Sequence, residues 1–306
     1  MRRRQFTRGL GGAGLALLTS GCGPRRSASP VGEGVEPRGA EAGEAKVEVG
    51  PSRLRVVTYN VLADEVATAE RIPAVFRVLR EARADLIALQ EVAPWFLPWV
   101  ADTPWLREYF VAEIDGAPAR PNGQFILSRF PVPHARALRL PGAQGRSLLV
   151  AHVELGGGER LAVGTTHMES LLEDGPVRAR QLDAIFAALE RERDDPQVDA
   201  TIFCGDLNFG DGERPDTDHL DPDFVDAWTA LRPGEPGHTW DIERSDMARA
   251  GSFPGEPSRR LDRVLVRGSS WRPASIEIIG DEPVVPGQRG LFPSDHFGLV
   301  AELERV

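Results

Sequence analysis

The alternation of hydrophobic and polar positions becomes regular at about residue 53. Residues 54–59 alternate, are rich in β-branched side chains and end at Asn60, the pattern of a half-buried strand. Ile72, Val75, Phe76, Leu79 and Ala82 then recur at helical spacing, which predicts a helix over 70–84 with one apolar stripe. Residues 85–89 form a short apolar run that stops at Gln90-Glu91. This β–α–β order predicts parallel neighbours joined by a crossover helix. Further short strands are expected at 109–114 and 124–127. Strands at 147–155 and 160–166 flank Gly156-Gly157-Gly158-Glu159, a hairpin signal. Val177, Leu182, Ile185, Phe186 and Leu189 share one face of a second helix over 177–190. A buried strand at 201–204 runs into Gly205-Asp206-Leu207-Asn208. If the extended conformation persists, Asp206 and Asn208 project to one side. Residues 209–255, rich in Asp, Gly and Pro, read as a long irregular stretch shaping a cleft. Strands at 260–266, 275–279 and 297–303 complete the chain. Strands outnumber helices and helices separate some of them, so the expected class is layered α/β with two sheets.

The segment before residue 53 has a different character. Arg2-Arg3-Arg4-Gln5-Phe6 is a basic start that resembles a twin-arginine export signal, and the Gly-rich apolar stretch 9–18 is too short to span a membrane. Leu18-Thr19-Ser20-Gly21-Cys22 looks like a bacterial lipoprotein processing site, with Cys22 the lipidated residue; an ordinary cleaved signal is the alternative. Residues 22–52 lack any apolar period and read as a disordered tether. The expected organisation is therefore a signal at 1–21, a tether at 22–52 and one domain at 53–306. The implied protein is exported and lipid-anchored, faces the periplasm or cell exterior, and is a monomer.

Composition narrows the chemistry. The only lysine is Lys46, which removes P-loop and Schiff-base lysines from the folded part. Two cysteines, Cys22 and Cys204, exclude a disulfide framework, and no G-x-S-x-G nucleophile elbow occurs. Formal net charge is −10, and setting aside the four arginines of residues 1–21 leaves −14 on the rest. Such a body opposes broad, sequence-independent binding of nucleic acid but leaves room for a small phosphate substrate.

Polar groups end at least five strands or their flanks: Asn60, Glu91, His167, Asp206 with Asn208, and Asp295 with His296. Glu91 suits a hard divalent cation, Asp206 could activate water with Asn208 directing it, and His296 could be a charge-assisted donor if paired with Asp295 or another carboxylate. Taken singly, each has a plainer reading as turn, cap or solvated strand end; Asp262 could simply pair with Arg260 or Arg263, and Trp228 and Trp240 could be core. Their co-occurrence at strand termini favours the catalytic reading.

The motifs TYN (58–60), LQEV (89–92), ILSR (126–129), THMES (166–170), GDLN (205–208), TWD (239–241), LDRV (261–264) and SDHFGL (294–299) together resemble the endonuclease/exonuclease/phosphatase superfamily, in family order over 53–306. Within it, HMES, DAW (226–228), TWD and LDRV are most similar to the tyrosyl-DNA phosphodiesterase branch. The resemblance implies a four-layered α/β/β/α sandwich of two mixed sheets with outer helices. It further implies hydrolysis of a phosphodiester, nuclease-like, with Mg²⁺ or Mn²⁺. Glu91 and Asn60 would hold the metal, Asp206 would activate water, and Asn208, His167, His296 and Asp295 would serve the phosphate or transition state. Asp262 would support the site, together with Ser170, Arg178 and Trp240. Nucleic-acid ends or nucleotides are the expected substrates. A phosphomonoesterase or phospholipid hydrolase of the same superfamily, or a non-catalytic binding module, is the alternative.

Overall fold

Alternation along the first strand sets the architecture. In β1 (Arg53–Asn60), Leu54 and Val56 enter one core cluster while Val57 and Tyr59 enter another on the opposite face. A strand apolar on both faces must be covered twice, here by a second sheet on one side and a helix on the other. The computed structural model describes residues 50–112 and 123–306. The expected export signal, Cys22 and nearly all of the tether lie outside the described residues, as does part of the strand expected at 109–114.

In chain order the further strands are β2 (Leu86–Val92), β3 (Phe110–Val111), β4 (Gly123–Ser128), β5 (His134–Arg139), β6 (Ser147–Gly156), β7 (Glu159–His167), β8 (Val198–Asp206), β9 (Val225–Asp226), β10 (Asp262–Arg267), β11 (Trp271–Ile279) and β12 (Gly298–Arg305). They form two six-stranded mixed sheets, ordered β11-β12-β1-β2-β4-β3 and β5-β6-β7-β8-β10-β9. The helices are α1 (Thr68–Ala82), α2 (Leu97–Asp102), α3 (Gly175–Glu190), α4 (Ala227–Leu231) and α5 (Asp246–Gly251). α1 carries β1 to its parallel neighbour β2 and buries Ile72, Val75, Phe76 and Leu79 against the first sheet. α3 does the same between the parallel pair β7 and β8, burying Leu182, Ile185, Phe186 and Leu189 on the second sheet. The fold is thus the four-layered α/β/β/α sandwich expected from the sequence.

The apolar inter-sheet layer draws Leu86 and Ala88 from β2, Val163 from β7, Ile202 and Cys204 from β8, Val264 from β10 and Leu299 from β12. Polar groups within it are paired: the Gln90 amide donates to Thr58 Oγ1 at 3.1 Å in its own sheet and to Thr165 Oγ1 at 2.9 Å in the opposing one. A buried amide left unpaired would cost about 1–3 kcal/mol, so this bridge fixes how the sheets face each other.

Four parts of the chain differ from the sequence reading. The helix expected at 70–84 begins at Thr68 and stops where Arg83 turns left-handed, φ 49°. β5 and α2 have no counterpart among the expected elements. The stretch 209–255 is not irregular throughout: Asp226 accepts from Trp228 N and caps α4, and Ser245 accepts from Ala248 N and caps α5.

Candidate active site

One periodicity builds the core and then the site. On β1 the inter-sheet face reads Leu54, Val56, Thr58, Asn60, and on β7 it reads Leu161, Val163, Thr165, His167. On β8 it reads Ala200, Ile202, Cys204, Asp206, and on β10 it runs Val266, Val264, Asp262. Residues two apart share a face, so the stripe that packs the sandwich ends in polar groups at one edge. Register then aligns them: His167 pairs with Asp206 across β7–β8, and Asp206 with Asp262 across β8–β10. Gly205 permits this close approach, because at its φ of 144° a Cβ would stand 2.2 Å from the Thr166 carbonyl oxygen.

Glu91 reaches the same place by breaking the rule. It follows Gln90, which faces the inter-sheet layer, so a regular strand would turn Glu91 the other way. Instead the ladder is irregular between Leu89 and Val92, and Glu91 adopts φ 59°. Its carboxylate accepts from Asn60 Nδ2 at 3.2 Å and from Ala63 N at 2.8 Å. Asn60 Nδ2 also donates to Asp206 Oδ2 at 2.9 Å, joining the two sheets' contributions through one carboxamide.

The extended continuation expected from Asp206 to Asn208 does not occur. Asn208 is left-handed, φ 58°, a conformation that Asn tolerates better than most residues, and its backbone N–H turns back onto Asp206 Oδ1 at 3.0 Å. Its side-chain amide donates to Met168 O at 2.9 Å. His296 is paired neither with its neighbour Asp295 nor left alone: Nδ1 lies 2.9 Å from Asp262 Oδ2, with Nε2 3.6 Å from Asp206 Oδ2. Nor does Asp262 pair with Arg260 or Arg263, which hold Asp211 and Asp226 instead. His167 stands with Nδ1 3.6 Å from Glu91 Oε1 and Nε2 3.4 Å from Asp206 Oδ2.

Electrostatics separates the two imidazoles. Burial alone would push His296 down, but the carboxylates of Asp206 and Asp262 outweigh it and raise its pKa to about 10. His167 is lowered well below the usual histidine range by burial and then by the Arg146 charge, so it is neutral near pH 7. For Asp206, burial works against ionisation, yet His296, His167 and the Asn60 hydrogen bond overcome it and hold the carboxyl below its usual value. Glu91 is raised, first by burial and then by the Asp295 charge.

Glu91, Asp206, Asp262 and Asp295 thus gather near one another, each acting electrostatically on its neighbours, and among the described residues none of them forms an ion pair with an arginine. Such a concentration of negative charge fits a bound cation. The carboxylate oxygens of Glu91 are the ligand type that Mg²⁺ or Mn²⁺ prefers, and the Asn60 carboxamide, with Nδ2 on Glu91 and Asp206 and Oδ1 accepting from Leu62 N, holds that carboxylate in place. Asp206, Asp262 and His296 also bring ligand-type atoms within 4.8 Å of one another. There, however, His296 Nδ1 is engaged by Asp262, an arrangement that orients an imidazole rather than leaving both groups free to ligate.

The remaining expected residues lie around this centre. Trp240, buried, packs its ring 5.0 Å from that of His296, so its core position and its supporting position coincide. Ser170 Oγ donates to Gln144 Oε1 at 3.2 Å on the rim. Arg178 is not in the site; it bonds Asp216 at 2.7 Å and the carbonyl oxygens of Glu169 and Leu171, securing the loop after His167. Cys22 lies outside the described residues. Arg146 was missed by the sequence reading. It sits half-buried just before β6, and its charge acts on Glu91 and Asp206. The one available signal was an arginine ending a glycine-bearing turn at the start of a strand.

Comparison with known proteins gives a consistent picture. The model of the endonuclease/exonuclease/phosphatase family matches residues 57–296. Tyrosyl-DNA phosphodiesterase 2 of Xenopus laevis is 30% identical over 278 residues, covering 85% of this chain and 69% of that protein. The Rattus norvegicus protein of the same name is 29% identical over 83% of this chain and 68% of its own. Among solved structures, D. rerio TDP2 complexed with a single-strand DNA product superposes with TM-score 0.67 at 24% identity, over 83% of this chain and all (100%) of that one. The human Nocturnin catalytic domain with bound sulfate gives TM-score 0.62 at 18% identity, over 83% and 94%. Both structural likenesses lie in the fold.

Proposed function

The chain belongs to the endonuclease/exonuclease/phosphatase family and is a phosphodiesterase hydrolase, and from that premise we propose that it cleaves phosphodiesters at nucleic-acid ends or in nucleotides, outside the cytoplasm. The observation that carries the reading is the convergence of Asn60, Glu91, His167, Asp206 and the His296–Asp262 pair at one edge of the sandwich. Asn60 and Glu91 would hold Mg²⁺ or Mn²⁺. When bound, that ion supplies positive charge to a phosphoryl oxygen. Asp206 accepts a hydrogen bond from the attacking water and takes its proton as the new bond to phosphorus forms. On the opposite side the P–O bond to the leaving group breaks, and that oxygen departs with the bonding pair and takes a proton from solvent. Asn208 helps to align that water. His296, protonated, donates to a phosphoryl oxygen as its charge grows, while neutral His167 provides a second contact and Arg146 answers the substrate's negative charge.

The substrate class is supported by the name shared by the curated relatives, tyrosyl-DNA phosphodiesterase 2. Replacing Asp206 with Asn should reduce hydrolysis of thymidine 5′-p-nitrophenyl phosphate about a thousandfold, within the range for loss of a general base, while shifting the melting midpoint only slightly. Retained turnover would remove the water-activating role. Export and lipidation at Cys22 belong to the same proposal. They rest on the Arg2-Arg3-Arg4 start and the small residues before Cys22. A Cys22→Ser chain should move from the membrane fraction to the soluble one, and unchanged partition would count against the anchor.

A further inference from the structure

Arg71 lies in the first turns of α1 with no exposed surface, and among the described residues it forms no ion pair. Its guanidinium instead donates to five carbonyl oxygens: Nε to Val66 at 2.9 Å, Nη1 to Val61 at 3.0 Å and Pro293 at 2.7 Å, and Nη2 to Leu62 at 3.3 Å and Asp64 at 3.0 Å. Four of these acceptors belong to the loop that follows Asn60. The fifth immediately precedes Ser294, Asp295 and His296.

That loop is held against its own preferences. Leu62 and Ala67 have φ of 61° and 43°, a region that residues other than Gly visit at a cost of about 1–3 kcal/mol each. Its backbone in turn orients the two groups proposed to hold metal: Leu62 N donates to Asn60 Oδ1 at 3.1 Å, and Ala63 N to Glu91 Oε2 at 2.8 Å. On the other segment, Ser294 Oγ donates to Asn60 O at 2.6 Å. The guanidinium's fixed planar fork can satisfy carbonyls in several directions at once, which a lysine ammonium, with three donors on one atom, cannot reproduce.

We propose that Arg71 is a positioning residue that presets the Asn60–Glu91 cation site by clamping the 61–66 loop to the segment before β12 that carries His296. The proposal rests on the reading of Asn60 and Glu91 as the metal-holding pair. Its hydrogen bonds reach the site through backbone N–H groups and the Ser294 hydroxyl, while its charge also acts on Glu91 and Asp295. Arg71→Lys keeps that charge and so isolates the positioning role, whose loss should weaken metal binding out of proportion to any loss of stability.

The test follows metal-induced rise in melting midpoint against Mn²⁺ and Mg²⁺ concentration for the full chain and for Arg71→Lys and Arg71→Gln, with kcat and KM measured at saturating metal. The expected result is a half-effect concentration raised about tenfold in Arg71→Gln and less in Arg71→Lys, with kcat lowered and substrate KM little changed. If Arg71→Gln does not fold, Arg71→Lys alone decides. A variant that melts lower without metal but keeps the wild-type metal titration overturns the proposal and leaves Arg71 a structural residue. A wild-type chain that gains no stability from either ion overturns the metal-site reading itself, and this proposal with it.

Discussion

His296 meets more negative charge than a buried imidazole ordinarily does, with Asp262 in contact and Asp206 and Asp295 nearby. A histidine held protonated to about pH 10 can act as a donor across the whole physiological range. Activity should therefore persist into alkaline solution and fall only as pH rises through about 10. Asp262→Asn removes one of the charges that favour the imidazolium, so its alkaline limb should move to lower pH, with kcat reduced about tenfold to a hundredfold. A pH–rate profile with the wild-type alkaline limb would refute the assignment. The identity of this pair was only half legible in the sequence. His296 was expected to need a carboxylate, but its neighbour Asp295 was as plausible as the partner 34 residues away that the register of β10 delivers. Glu91 shows the same limit. Its residue type was readable, whereas its direction depends on φ 59° and a ladder irregularity that no local pattern announces.

At the level of elements, what could be read followed burial. Strands with one face in the inter-sheet layer alternate cleanly, and helices α1 and α3 carry an obvious stripe. β5 does not, because it is an edge strand whose six residues are all partly or fully exposed, so no period marks it. α2 is short, contains a proline and buries no residue fully. The parallel β7–β8 pairing was not read from the sequence, and the close approach at Gly205 that it requires yields a sharp expectation. Gly205→Ala would force a methyl against the Thr166 carbonyl, 2.2 Å away, in a backbone conformation L-residues avoid. Overpacking of this kind costs about 1–3 kcal/mol, so the melting midpoint should drop by several degrees. Activity should fall as well, since His167 and Asp206 flank the contact. An alanine variant as stable and active as the wild type would show that the strands can part without consequence.

On the scale of the whole molecule, charge governs what can approach. With the four arginines of residues 1–21 set aside, the chain carries −14. A protein that grips many phosphates loses about a thousandfold or more in affinity between roughly 50 and 200 mM salt. On the proposed nucleic-acid substrates, kcat/KM on a long single strand should change by less than about threefold over that range, because so acidic a body opposes a run of phosphate contacts. A loss above about tenfold would reveal an extended nucleic-acid track. The order of apolar stripes made two layered sheets legible, whereas the full four-layered sandwich was expected only through the family resemblance, since edge and short elements such as β5 and α2 carry no period.

The Asn60 carboxamide bonds Glu91 from its own sheet and Asp206 from the opposing one. The working centre is therefore a seam. Neither half of the sandwich carries a usable fragment of it, and any slip between the halves dismantles it before either half has melted. Heat inactivation should thus share its midpoint with loss of tertiary packing, or precede it slightly, and never trail behind it. Catalysis then stops no later than the fold does.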